Sequence, residues 1–270
     1  MPVALLLIVF FFFLSFVWTI SAFFFALNKK TKTSKDVKIF SKSISLFKAI
    51  LLEYFSFLSI ILLYPVEVFN ITEKKKTHSK GIPVLLIHGY LHNSGALFPV
   101  KIRLLMDKTP NIFSISMKPT FASIKELALS VKKKVEEIIL LTGCERINIV
   151  THSMGGLVAM YYIKELGGHS RVSRCITMAC PHRGTDFAKI ALGKNGKEMR
   201  PGSELLCGLE EKGKELNRLV ISIWSDIDNM IFPQENALLD GAENIKIENL
   251  GHVAFLFSPR VYKIIKENLI

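Results

Sequence analysis

Cysteine is scarce in this 270-residue chain. Its four residues, Cys144, Cys175, Cys180 and Cys207, form no C-x-x-C pair and no metal-ligand spacing. That excludes a redox framework and a zinc site, and leaves buried structural thiols as the reading. Internal repeats are missing as well, and low complexity is confined to the front of the chain. Charge is absent from Met1 to Leu27, a stretch packed with Leu, Ile, Val and Phe. Its length exceeds the roughly 20 residues a helix needs to cross a bilayer core. A secretory signal would have a basic start and an apolar region of about 7–15 residues. Here the first basic residues, Lys29 and Lys30, come after the apolar run. The pattern predicts an uncleaved membrane anchor over residues 1–28.

Acidic residues are also short, and unevenly so. The formal net charge is +12, and Lys29–Lys80 holds 11 basic against 4 acidic residues, so +7 of it lies there. A basic excess beside apolar segments suits anionic lipid headgroups. It argues against a nucleic-acid partner, whose basic stripe would lie on the folded domain. Two basic linkers, 29–45 and 67–80, flank a second apolar stretch over 46–66. Lys48 near its start can snorkel, but Glu53 lies well inside. Three placements remain open for this stretch: a second crossing, a helix in the membrane interface, or a helix against the folded body. Glu53 is read as a carboxylate near an interface or a partner helix, with no catalytic role. The lysines between the two apolar stretches favour a cytoplasmic link. A hairpin would then put the body outside the membrane and a single crossing would keep it cytoplasmic.

From Gly81 onward about 190 residues remain, enough for one α/β domain. Ile82–Ile87 is a continuous apolar run of the kind found in strands buried on both faces. Further strands are expected at Asn111–Ser116, Ile147–Val150, Val172–Ala179, Leu219–Trp224 and Asn244–Glu248. Helices are expected over Ala96–Asp107, Ser123–Leu141 and Pro259–Leu269. This alternation implies a mostly parallel sheet covered by helices on both faces, with chemistry at the carboxyl ends of the strands.

The chain is organised around Arg146–Leu157, RINIVTHSMGGL. A β-branched apolar run feeds Thr151-His152-Ser153-Met154-Gly155, and a helical pattern follows at once. A strand turning sharply into a helix around one serine is a nucleophile elbow. Positions two either side of Ser153 must be small; Gly155 satisfies this, and Thr151 departs from the usual glycine. A serine needs a base, and the base an orienting carboxylate. His252, just after a strand in Leu250-Gly251-His252, is the candidate base. Asp228 is the preferred acid over Asp226, because the apolar turn Ile231-Phe232-Pro233 would bury it beneath the histidine. Two backbone N–H groups should stabilise the oxyanion, one from Met154 and one from Tyr90 in His88-Gly89-Tyr90. His152 should point away into packing, His88 should support the oxyanion loop, and His182 should lie near the pocket rim.

These motifs resemble the α/β-hydrolase lipase and esterase family, in particular its bacterial triacylglycerol-lipase-like branch. The likeness runs from Ile82 to the C-terminus over HGY at His88, THSMGG around Ser153, PHRGT at Pro181–Thr185, MRPGSELL at Met199–Leu206, the Asp228 turn and the glycine before His252. It implies an α/β-hydrolase domain over 81–270, ester hydrolysis through an acyl-enzyme, and a cap at about 183–208. Some relatives bind calcium, but no carboxylate cluster here demands it, so neither a metal nor another cofactor is expected. The expected partners are a lipid or acyl-ester substrate and a membrane. Acyl transfer, thioester or amide cleavage by the same residues is the alternative, and a catalytically dead binding module is a third.

Overall fold

Val84-Leu85-Leu86-Ile87 is apolar without interruption because both faces of its sheet are covered. Leu85 and Ile87 face one hydrophobic core, and Val84 and Leu86 the other. In the computed structural model, residues 15–17, 19–24, 39–69 and 81–270 are described. The expected anchor over 1–28 and the linkers 29–45 and 67–80 lie mostly outside the described residues.

Six strands form one sheet: β1 (Val84–Ile87), β2 (Ile112–Ile115), β3 (Ile147–His152), β4 (Val172–Met178), β5 (Val220–Trp224) and β6 (Glu243–Lys246). Their order is β2-β1-β3-β4-β5-β6, and every pairing is parallel. Parallel neighbours need a crossover between them, which the alternating helices supply. The helices are α1 (Ile39–Leu63), α2 (Phe98–Met106), α3 (Ile124–Thr142), α4 (Met154–Glu165), α5 (Gly193–Glu198), α6 (Glu204–Glu211) and α7 (Pro259–Asn268).

One face of the sheet is covered by α3 and α4, whose Leu127, Val131, Val135, Leu157 and Val158 meet Ile147, Ile149 and Cys175. The other is covered by α2 and α7, whose Val100, Leu104, Val261 and Ile265 meet Val150, Ile176 and Ile221. The ends of α3 are written locally. Ser123 and Glu126 form a reciprocal capping box, and Gly143 closes the helix at φ 69°. Sequence expectation and structure agree on every strand to within about two residues.

The cysteines need a correction. Cys175 and Cys180 are buried, but Cys144 is half-buried and Cys207 is exposed. Cys144 follows the left-handed residue that ends α3, and Cys207 sits on a helix whose buried residues are Leu206 and Leu209.

Helix α1 occupies one of the three placements the sequence left open. It lies along the body, against the turn Val253–Leu256 and the turn Ser94–Leu97. Ala49, Glu53, Ser56 and Ile60 recur at three- and four-residue steps and are buried, while Leu51, Leu52, Phe55 and Leu62 are exposed. Its polar side therefore points inward and its apolar side outward, the reverse of a surface helix in water. By length and composition alone, Ser45–Glu67 would suffice to cross a membrane. The Phe16 ring of the preceding apolar segment meets Tyr54 edge-on at 5.7 Å.

Candidate active site

The chain leaves β3 through Ser153 at φ 53°, ψ −130°, a conformation that L-residues other than glycine rarely adopt, and enters α4 directly. Two glycines make this turn possible. A Cβ on Gly155 would come within 2.5 Å of the His88 carbonyl oxygen and 2.7 Å of that of Ile87. A Cβ on Gly89 would come within 2.9 Å of the Ser153 Cβ. The loop after β1 is thus pressed onto the serine. Thr151, the departure from the usual glycine, is fully buried in the sheet between Ile87 and Thr177. Its hydroxyl oxygen is buried there without a hydrogen-bond partner. Gly155→Ala is expected to destabilise the protein by about 1–3 kcal/mol, because backbone atoms must yield. Thermal unfolding of the variant beside Gly143→Ala, where a Cβ meets nothing but φ is positive, separates crowding from backbone strain.

Asp228 and His252, 24 positions apart, are brought together. The His252 Nδ1 lies 3.1 and 3.0 Å from the two carboxylate oxygens, and both side chains are buried. The carboxylate is held in turn, since its Oδ1 accepts N–H groups of Met230 (2.8 Å) and Ile231 (3.0 Å). Asn229 Oδ1 accepts the His252 N–H at 2.9 Å. Asp226 points elsewhere, to Lys246 Nζ at 2.8 Å. Burial pulls the His252 imidazole down, but the charge and hydrogen bond of Asp228, with the charge of Glu53 behind them, outweigh it. The ring is held above the usual histidine value.

The neighbouring histidines divide the supporting work. His88 Nδ1 donates to the Gly89 carbonyl (2.8 Å) and its Nε2 accepts the Met117 N–H (2.9 Å), which fixes the loop after β1. His152 is packed inside, in keeping with its sequence reading, and makes one contact that reading did not include. Its Nε2 donates to the His252 carbonyl at 3.0 Å, and its ring lies 4.8 Å from the His252 ring and stacks on His92 at 6.1 Å. Burial, then the charges of His252 and His92, hold His152 well below the usual value, so it is neutral. His182 differs from expectation. Its ring turns from the cavity toward Thr177 Oγ1 (3.1 Å) and Cys180 Sγ (3.7 Å).

The PHRGT motif braces the turn that carries Asp228. Thr185 Oγ1 donates to the Met230 carbonyl (2.7 Å) and accepts the Phe232 N–H (3.0 Å), clamping the turn that carries Asp228. Ser203 caps α6 through the Leu206 N–H. Tyr90 is tied to the segment between Thr185 and α5, its hydroxyl bonding both the carbonyl and the N–H of Leu192 (2.8 and 2.9 Å).

Ser153 and His252 line one cavity of about 490 Å³ together with Gly89, Tyr90 and His152. Its remaining walls are mostly apolar, from Phe57 and Ile60 of α1, Phe187 and Met199 beside α5, and Met230 and Val253. At its edge Ile61, Tyr64, Leu91, Phe121, Ile190 and Leu192 are exposed. The contribution of α1 was missed in the sequence, where nothing marked residues some 90–200 positions away as neighbours of the serine. Among the described residues, no group of three or more His, Cys, Asp or Glu side chains is placed to hold a metal ion.

A six-stranded parallel sheet with an elbow serine after its third strand defines an α/β-hydrolase fold. Solved structures agree. A lipase of Bacillus licheniformis, BlEst2, superposes at TM-score 0.62 with 14% identity, over 73% of this chain and 94% of that one. Lipase B of Aspergillus fumigatus superposes at 0.60 with 15% identity, over 70% of this chain and 52% of its own. The ydeN gene product of B. subtilis superposes at 0.52 with 18% identity, over 69% and 97%. Residues 83–216 match the family described as "Putative serine esterase (DUF676)". The family match and the fold together support an ester hydrolase built on an α/β-hydrolase fold.

Proposed function

We propose that the protein is a membrane-anchored serine hydrolase that cleaves carboxylic esters of lipids or acyl chains through an acyl-enzyme on Ser153. The observation that carries this reading is that Ser153 and the Asp228-held His252 line one apolar cavity. In the proposed reaction the Ser153 hydroxyl attacks the ester carbonyl carbon as its proton passes to His252 Nε2. The backbone N–H groups of Met154, at the start of α4, and Tyr90 hold the oxyanion. Collapse releases the alcohol, which leaves with the proton from His252. Water then repeats the sequence on the acyl-enzyme and releases the carboxylic acid, restoring the serine.

The exposed apolar rim supports an acyl chain presented from a lipid surface, since a patch of this kind on a water-facing enzyme marks a binding site. Segment 183–208 serves as the cap, 81–270 as the hydrolase domain, and 1–28 as the anchor. The test is turnover of a p-nitrophenyl ester series by the full chain in detergent, with fluorophosphonate labelling. Longer acyl chains are expected to be preferred, in keeping with the mostly apolar lining of the cavity. Absence of both turnover and labelling would overturn the reading.

The titration of His252 sets the pH profile. The base acts when neutral, so kcat/KM is expected to rise with pH through an inflection above the unperturbed histidine value of about 6.5. An inflection below that value would contradict the Asp228 coupling.

A further inference from the structure

Glu53 is a buried carboxylate that the proposed reaction does not use, and it lies in the middle of a helix outside the family-matched region. Both of its oxygens are occupied by one turn of the body. Oε1 accepts the Val253 N–H at 2.9 Å and Oε2 the Ala254 N–H at 2.8 Å. These are the first donors of the short helical turn Val253–Leu256, which starts at His252. A residue at that starting position ordinarily satisfies such donors with its own side chain. His252 does not, because its ring is committed to Asp228. Glu53 supplies the missing cap from 200 positions away. The fit is close: a Cβ on Gly251 would fall 2.5 Å from Glu53 Oε2, so a larger residue before His252 would displace the carboxylate.

We propose that Glu53 is the positioning residue of the catalytic base, holding the backbone of the His252 loop and so making α1 a fixed wall of the active site instead of a membrane crossing. The assignment rests on the serine-hydrolase reading for its catalytic meaning, but its geometry stands apart from it. A helix whose midpoint is hydrogen-bonded to the loop of a water-facing active site does not also run through a bilayer, where this carboxylate would be costly. Its outward apolar residues, Leu51, Leu52, Phe55 and Leu62, then lie on the lipid surface next to the cavity rim. The segment before it is left to supply the anchor.

The charge has a second consequence. Glu53 interacts with the charges of His252 and Asp228, while the His152 ring lies 4.8 Å from the imidazole and stacks on His92. Burial pushes the Glu53 carboxyl up to about 7 against the pull of the two amides, so above neutrality it is ionised and favours the protonated imidazole. A purely structural cap would not touch the titration of His252.

The experiment compares wild type, Glu53→Gln and Glu53→Asp as full chains in detergent, by kcat and KM across pH and by ¹⁵N-histidine titration of His252. Gln keeps the size, removes the charge and turns an NH₂ toward one amide donor. It is expected to lower kcat by about 10- to 100-fold with KM little changed, and to move the His252 inflection to lower pH. Asp keeps the charge but falls short of the amides; it should lower kcat while leaving the inflection near its wild-type position. Wild-type kcat in both variants overturns the proposal, as does a lowered kcat in the Gln variant with the His252 titration unmoved. Should the Gln variant lose its cooperative melt, a wild-type kcat in the Asp variant alone overturns it. If wild type itself turns over no ester, the serine-hydrolase reading fails, and the His252 titration still decides the role of Glu53.

Discussion

Ser153→Ala is expected to abolish turnover of p-nitrophenyl esters and labelling by a fluorophosphonate, with kcat falling by about 10⁴–10⁶. The expectation follows from where the serine stands. The turn from β3 into α4 forces φ to 53°, and the loop after β1 is pressed against the Ser153 Cβ. Among the described residues, no other hydroxyl side chain lining the cavity stands at the start of a helix of comparable length, where backbone donors collect. Labelling that survives in Ser153→Ala would reject this serine as the nucleophile. Ser153→Gly adds an independent check. Glycine adopts positive φ without strain of about 1–3 kcal/mol, and its extra flexibility in the unfolded chain offsets only part of that. The glycine variant should therefore be inactive yet at least as stable as wild type. A large loss of stability would show that the serine side chain is held by contacts instead of by its backbone.

The architecture was legible because its signals are local. Each buried strand is a short apolar run, and Ser123 with Glu126 marks the start of α3 within four residues. The elbow was legible for the same reason, since strand, serine, glycine and helix follow one another in twelve residues. Asp228 could be preferred over Asp226 because an apolar turn follows it, and the N–H of its first residue, Ile231, with that of Met230 just before, holds the carboxylate. What the sequence concealed depends on contacts between distant parts of the chain. His152 sits beside the serine in sequence, and only the approach of the His252 loop shows that its ring reaches that carbonyl. Glu53 read as an oddity in an apolar segment, because its two partners lie 200 and 201 positions downstream. The hydropathy of α1 left its placement open. An apolar helix with one carboxylate has the same composition whether it crosses a bilayer or lays its polar stripe on a protein.

These long-range contacts converge on one loop. Residues 251–254 receive Glu53 from α1, His152 from the end of β3, Asn229 from the acid turn and Asp228 on the imidazole itself. Three of these four act on the backbone and one on the ring. His252 is thereby held in position through its main chain and in protonation chiefly by the Asp228 carboxylate.

Asp228→Asn isolates the second role. Oδ1 of Asp228 already accepts two backbone N–H groups, so an asparagine will keep its oxygen there and turn its NH₂ toward His252 Nδ1. A donor facing Nδ1 makes that nitrogen the acceptor and places the ring proton on Nε2, where it blocks uptake of the serine proton. The fold should survive, because the amide matches the carboxylate in shape and the backbone bonds persist. The expected result is a fall in kcat of about 10³–10⁴ with little change in KM. Asp226→Asn serves as the control. It loses only a half-exposed pair with Lys246, worth no more than about 1 kcal/mol, and should retain its activity. Adding Asp228→Asn to Ser153→Ala should cost almost nothing further, since the base has no hydroxyl left to activate. Additive losses in that double variant would mean that Asp228 acts on something other than the Ser153–His252 pair.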